Sequence, residues 1–325
     1  TGLLSASDFT AKWISGNYRV NKKNRYPVDC FKKQFNAQNV AKARLYITAC
    51  GLYEAKINGE RVGNFALAPG HTDYTKRIQL QTYDVTDLLN DGENEITVEL
   101  ADGWYRGSCG AWGLKNQYGT QTKLLSQLEI TDKSGKVTVI GTNKTWAWSN
   151  DGEIRFADNK DGEIVEAWRT PSYSGFAKET KCDVVPVSSN NVPVTEHERF
   201  SVKNVITTPK GAKVLDFGQN IAGYISFAVT AKKGQKIKLR FGEMFDKNGE
   251  FTQKNVQCRN KKGTKVTPLQ QIEYFCKDGL NEYKTKFAIF GFQYVLIETD
   301  VEWENDDFTA IAVYSDMEET LSFNS

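Results

Sequence analysis

Short alternating segments dominate the chain. Leu45, Ile47 and Ala49 share one face of 44–49; Tyr53, Ala55 and Ile57 share one face of the next segment, with Glu54 and Lys56 opposite. A side-chain period of two marks a half-buried β-strand. Asn58-Gly59 comes next, and both residue types tolerate positive φ, so a type I′ hairpin is predicted there. Ile96, Val98 and Leu100 repeat the pattern against Thr97 and Glu99. Segments 124–130 and 137–140 read as strands joined by a turn at 132–135, and 225–229, 236–241, 271–275, 292–298 and 309–314 read as further strands. No window longer than about ten residues carries a helical period. The best helical candidate is 84–90, where Asp84 can cap, Leu88 and Leu89 can pack and Gly92 can end a single turn.

The pattern predicts an all-β fold of two consecutive antiparallel β-sandwich domains, jelly-roll-like, with almost no helix. A length of 325 residues suits two domains. Segment 181–193 holds two prolines and a Ser/Asn cluster without a clear period, so the division is placed there, giving 1–185 and 186–325. Asp-Gly-Glu recurs at 151–153 and 161–163 and reads as two turns.

Composition narrows the function classes. Lys plus Arg is 42 and Asp plus Glu is 40, a net charge of +2, which argues against a nucleic-acid binder with its concentrated basic field. The longest purely apolar run, 310–314, is far below the roughly 20 residues a membrane helix needs. The chain starts at Thr1 with no charged and apolar leader, and so reads as an excised piece. Six cysteines (30, 50, 109, 182, 258 and 276) form no CxxC pair, which disfavours zinc and suggests buried free thiols. Only His71 and His197 are available for imidazole chemistry; the first sits in a turn and the second in a polar stretch, so neither is read as a base.

Motif searches give mostly negative answers. The glycine-rich stretch 102–113 fits neither phosphate-loop pattern and precedes no helix. It reads instead as a hinged loop carrying Trp104, Tyr105, Arg106 and Trp112, groups that suit a sugar's apolar faces and hydroxyl rim; the plain packing alternative is that Trp104 and Trp112 plug one end of the sandwich. Segment 157–168 lacks the carboxylates an EF-hand needs at its first and last positions. The acid pairs Glu163/Glu166, Glu243/Asp246 and Asp306/Asp307 do not stand out from surface charge by spacing alone. Basic clusters at 22–25 and 259–265 lack interleaved aromatics and read as solvated loops.

Longer strings carry a resemblance. Segments 43–63, 67–74, 81–89, 102–107 and 161–163 in the first half, with 215–223, 241–244 and 290–295 in the second, resemble in this order the non-catalytic β-domains of bacterial α-L-rhamnosidases, glycoside hydrolase family 78. The likeness spans roughly residues 10–320. It implies a whole enzyme that hydrolyses terminal α-L-rhamnosyl linkages with inversion, using an acid and a base. In the family these sit in an (α/α)6 barrel that follows such domains. No catalytic residue is therefore expected in this chain, and 315–325 would begin the connection to the barrel. A subset of the family uses the first β-domain as a calcium-dependent rhamnose-binding module. The family's ligand set does not match this sequence residue by residue; loops 64–74 and 102–118 are where such a site is expected, offering Asn64, Asp73 and Asp102 to calcium and Trp104, Tyr105, Arg106, Trp112 and Asn116 to the sugar. Asp216, Gln219, Asn220, Phe292 and Tyr294 are expected to face the barrel. The implied partners are a rhamnose-containing glycan or glycoside and that barrel, with no nucleic acid and no membrane. The alternatives are a stand-alone carbohydrate-binding module and an interaction scaffold.

Overall fold

The computed structural model describes residues 8–321 apart from 111, 261 and 319. Lys261 of the second basic cluster, and residues 322–325 of the expected connecting segment, lie outside the described residues.

The chain is all-β. Among the described residues the one α-helix is the single turn Gly103–Arg106, and the turn expected at 84–90 is a 3₁₀ turn at Thr86–Leu88. Asp84 accepts the Thr86 backbone N–H at 3.1 Å and its hydroxyl at 2.6 Å, which starts that turn. Asn58 and Gly59 take φ of 52° and 86° between Leu52–Ile57 and Glu60–Arg61, as a type I′ hairpin requires.

Two sheets face each other in the first unit. Val40–Cys50, Gln79–Asp84 and Lys123–Asp132 build one; Asp29–Ala37, Leu52–Ile57 and Gly92–Ala101 build the other. Between them lie Phe31, Leu45, Ile47, Ile96, Val98, Leu124 and Trp146, all at most 1 % exposed, so the alternation seen in sequence does place one face inside. The second unit is one ten-stranded sheet curled around its own core, with the nineteen-residue strand Lys213–Ala231 at its centre. Phe241 stacks on Phe290 at 4.2 Å, and Phe292 crosses Phe217 edge-on at 6.0 Å. A register shift between Asp216 and Ile221 bulges that strand where it pairs with Phe290–Thr299.

The sheets do not part at one point in the chain. Hairpin Ile154–Asp158/Gly162–Glu166 precedes residue 185 yet joins the ten-stranded sheet, where Gly162–Glu166 runs parallel to Gln271–Phe275. Val187–Ser188, beyond it, pairs in parallel with Gln79–Leu80 of the first unit. Asp161 closes the hairpin turn, as expected, while Gly162 and Glu163 already belong to the strand Gly162–Glu166. Gly162 is required there: its φ is +110°, and a Cβ would lie 1.7 Å from the Gln271 carbonyl oxygen. Val28, Leu52 and Ala101 share a cluster with Phe287 and Phe290, so apolar contact is continuous across the joint between the units.

Candidate functional site

The 103–118 loop folds back on the body of the protein. Tyr105 is 7 % exposed and meets Tyr74 edge-on at 5.3 Å. Arg106 is 4 % exposed; its Nε donates to Asp102 Oδ1 at 2.7 Å, and a terminal nitrogen donates to the Tyr18 hydroxyl at 2.5 Å. Tyr105 and Arg106 thus do not face a sugar, which corrects the expectation. Both were read from a loop, but the helical turn points them inward, where the ring fills space and the guanidinium balances a buried carboxylate. Trp104 is half-buried, stacked on His71 at 5.3 Å. Its indole N–H donates to Asn159 Oδ1 at 2.9 Å, with the amide turned as its neighbours require. Trp104 therefore follows the packing alternative. Trp112 does not: it is 55 % exposed. Asn116 is held by its backbone N–H to the Arg106 carbonyl at 2.9 Å and by its amide to the Lys22 carbonyl at 3.4 Å.

Nor do the calcium candidates form a shell. Asp102 is committed to Arg106, and Asp73 accepts from Thr75 N and Oγ1 at 3.1 and 2.6 Å within its own turn. Asn64 lies in a separate groove beside Glu196 and Lys284. Among the described residues no three His, Cys, Asp or Glu side chains converge as a metal site. The barrel-facing candidates divide as well. Gln219 and Asn220 stand exposed on the bulge, beside Phe200 and Tyr314 in a shallow groove of about 360 Å³. Asp216 accepts Gly218 N at 2.7 Å and Gln293 Nε2 at 3.0 Å. Tyr294 packs edge-on against Phe245 at 4.8 Å. Phe292 is 0 % exposed; the strand's alternation sends it into the core, so it is no surface contact.

A buried polar network braces the 16–29 and 102–122 loops. Asp29 is 0 % exposed and accepts from Trp148 Nε1 at 2.9 Å, Thr122 Oγ1 at 3.0 Å and the Tyr18 hydroxyl at 3.4 Å. Burial pushes its carboxyl up to about 6, against the opposing pull of Arg106.

A cavity of about 990 Å³ opens at the joint between the two units. Its walls bring together what the sequence holds apart: Lys23 and Arg25 from the first basic cluster, Lys262 and Lys265 from the second, with Lys115 and Arg155 between. The reading of both clusters as separate solvated loops missed this, since no local pattern reports that two loops will meet. Two carboxylates also line the cavity, and both are spent internally. Asp161 ion-pairs with Arg25 at 2.6 Å and accepts Leu269 N at 3.0 Å. Glu163 accepts Phe287 N at 2.6 Å, the Tyr283 hydroxyl at 2.7 Å and Lys286 N at 2.9 Å; burial raises its pKa above the usual carboxylate range. Arg25 lies over the Phe156 ring at 4.2 Å. Such a cleft can hold an anion by charge, but it offers no free acid and base to a scissile bond.

A two-sheet sandwich joined to a curled ten-stranded sheet, with its cleft carboxylates engaged internally, defines an all-β module. Comparison with known proteins agrees. Residues 38–208 match the family described as alpha-L-rhamnosidase N-terminal domain, and residues 206–314 the one described as bacterial alpha-L-rhamnosidase concanavalin-like domain. An α-L-rhamnosidase of Formosa agariphila is 33 % identical across 100 % of this chain and 36 % of its own length. Crystal structures of native α-L-rhamnosidase from Aspergillus terreus (32 % identity, 98 % of this chain, 38 % of that one, TM-score 0.88) and of the Streptomyces avermitilis enzyme complexed with L-rhamnose (30 %, 90 %, 29 %, TM-score 0.81) share the fold. The chain belongs to the α-L-rhamnosidase family and corresponds to its N-terminal portion. It spans about a third of the length of the relatives it matches.

Proposed function

We propose that the chain is the non-catalytic β-domain portion of an α-L-rhamnosidase, the whole protein hydrolysing terminal α-L-rhamnosyl linkages with inversion. The observation that carries the non-catalytic role is the state of the cleft acids: Asp161 and Glu163 already serve backbone N–H groups and internal side chains. Inverting hydrolysis needs two free carboxyls roughly 6.5–9.5 Å apart. The continuous apolar joint supports a bracing role, since a hinge would leave that surface wet. The groove beside Gln219 and Asn220 is the proposed contact with the catalytic barrel. Aryl α-L-rhamnoside turnover tests the reading: the full-length enzyme should release aglycone and this chain alone none. Turnover by the chain would overturn it.

Rhamnose binding by the chain is the second reading, favoured by the exposed ring of Trp112. Titration with L-rhamnose, with and without calcium, tests it. Heat that does not depend on calcium is expected, because the candidate ligands do not converge. No heat in either condition ends this reading.

A further inference from the structure

The cation-lined cleft has a charge that the proposed function does not use. Among the described residues Lys23, Lys115, Arg155, Lys262 and Lys265 make no ion pair, while the lining acids Asp161 and Glu163 are internally engaged. Cations without a direct ion pair are therefore gathered in one concave volume. Lys115 is central to this. It sits half-buried in the wall, where desolvation and the neighbouring Arg25 lower its pKa against the opposing pull of Asp158, Asp161 and Asp102. Cations gathered along one concave wall favour an anion that bridges them. Two of the lining cations are fixed in position. Arg25 is clamped between Asp161 and the Phe156 ring, and the two terminal contacts of the Arg155 guanidinium, both at 3.0 Å, go to the carbonyls of Asn150 and Gly152. Preorganised cations bind at less entropic cost than free ones.

Size and surroundings narrow the ligand. About 990 Å³ lies at the upper end of the roughly 300–1,000 Å³ range for small-molecule sites, room for several sugar rings more than for one. The aromatic ring that lines the cleft is Phe156, with Arg25 over its face, and the exposed Trp112 is the chain neighbour of Gly113 in the cleft wall. Flat rings next to positive groups suit a saccharide that bears acidic substituents.

We propose that this cleft binds an anionic oligosaccharide, one bearing uronate carboxylates or sulfate esters, with Lys115, Lys262 and Lys265 meeting the acidic group. The choice of a saccharide rests on the α-L-rhamnosidase reading; the anionic character rests on the cleft alone. In such a protein the site would hold the charged part of a polymer and raise its local concentration.

The test is calorimetric titration of the chain with three probes: a tetragalacturonate, a heparin-derived tetrasaccharide and neutral maltotetraose. Saturable binding of either charged probe is expected, with none of the neutral one. The preferred charged probe identifies carboxylate or sulfate as the recognised group. Affinity should fall at least about tenfold in Lys115→Met, which keeps the apolar stem. It should fall likewise in the exposed pair Lys262→Gln/Lys265→Gln, with unchanged melting temperature. Raising ionic strength from about 0.01 to 0.15 M, which shortens the screening length from about 30 to 8 Å, should weaken binding further. The proposal is overturned by failure of both charged probes, by equal binding of maltotetraose, by wild-type affinity in Lys115→Met, or by equal competition from a single-stranded oligonucleotide. Turnover of aryl rhamnoside by the full-length enzyme, measured beside these titrations, separates the two ideas. Turnover without anion binding sinks the cleft alone, whereas anion binding without turnover sinks the rhamnosidase reading alone.

Discussion

Replacing Asp29 by Asn gives the sharpest check on the energetics of the loop framework. Two effects oppose each other at this carboxyl. Complete burial disfavours the charge, while Arg106 and the donors Trp148 and Thr122 favour it. Burial wins, and the folded-state value is pushed up to about 6. The unfolded chain has a value of about 3.9, so the difference is about two units, or roughly 3 kcal/mol. The sign follows from proton binding. Between about pH 4 and 6 the folded state holds a proton that the unfolded state has lost, so this stabilisation is complete below pH 4 and disappears as pH rises through 6. Asn cannot titrate. Urea unfolding followed by tryptophan fluorescence, from about pH 4 to 7.5, should therefore give a wild-type minus Asp29→Asn stability difference that falls by roughly 3 kcal/mol across the range. Taking the difference removes acids remote from Asp29, such as Glu163, whose pKa burial also raises. A difference flat with pH would refute the reasoning. A difference that rises with pH would show that Arg106 outweighs desolvation.

Other consequences can be checked with the same material. Lys286 joins the units by ion pairs to Glu99 at 2.7 Å and Glu153 at 3.4 Å. Lys286→Met should cost about 2 kcal/mol, less than a fully buried pair because the lysine and Glu99 keep some exposure. That lowers the melting temperature by about 3 °C for a chain of this length; a change below about 1 °C would count against the bridge. Gly162→Ala should cost at least about 3 kcal/mol, since it adds both a clash with the Gln271 carbonyl and a strained φ; a urea midpoint close to wild type would show that the parallel pairing can relax. Cys182 sits against Cys50, whose thiol donates to it, and this contact with its own Val184 backbone bond holds the Cys182 thiol below the usual range while Cys50 is pushed up. Iodoacetamide at pH 7 should modify Cys182 first, and Cys50→Ala should slow that reaction several-fold; equal rates would exclude the thiol–thiol contact.

The local code was legible where chemistry is local. Alternation marked strands such as Leu52–Ile57 and Gly92–Ala101, Asn58-Gly59 marked its hairpin, and Asp84 marked its turn. The order of the rhamnosidase strings pointed to the family that the comparisons show. Asp29–Ala37 was not legible, because Lys33 falls in phase with Phe31 and Phe35 and its long stem hides the period. Residues 161–163 read as a turn by composition, which holds for Asp161 alone; only the partner strand Gln271–Phe275 shows why a glycine stands between two buried acids.

Sequence by itself determined the all-β class, the family and the shortage of catalytic imidazole. Tertiary structure decided which of the singled-out side chains meet anything. Tyr105, Arg106 and Phe292 turned inward because their faces are set by a helical turn and a strand whose partners lie far along the chain. The two basic clusters became one cleft for the same reason: electrostatic fields add in space, and closeness in space between distant loops is fixed by sheet packing.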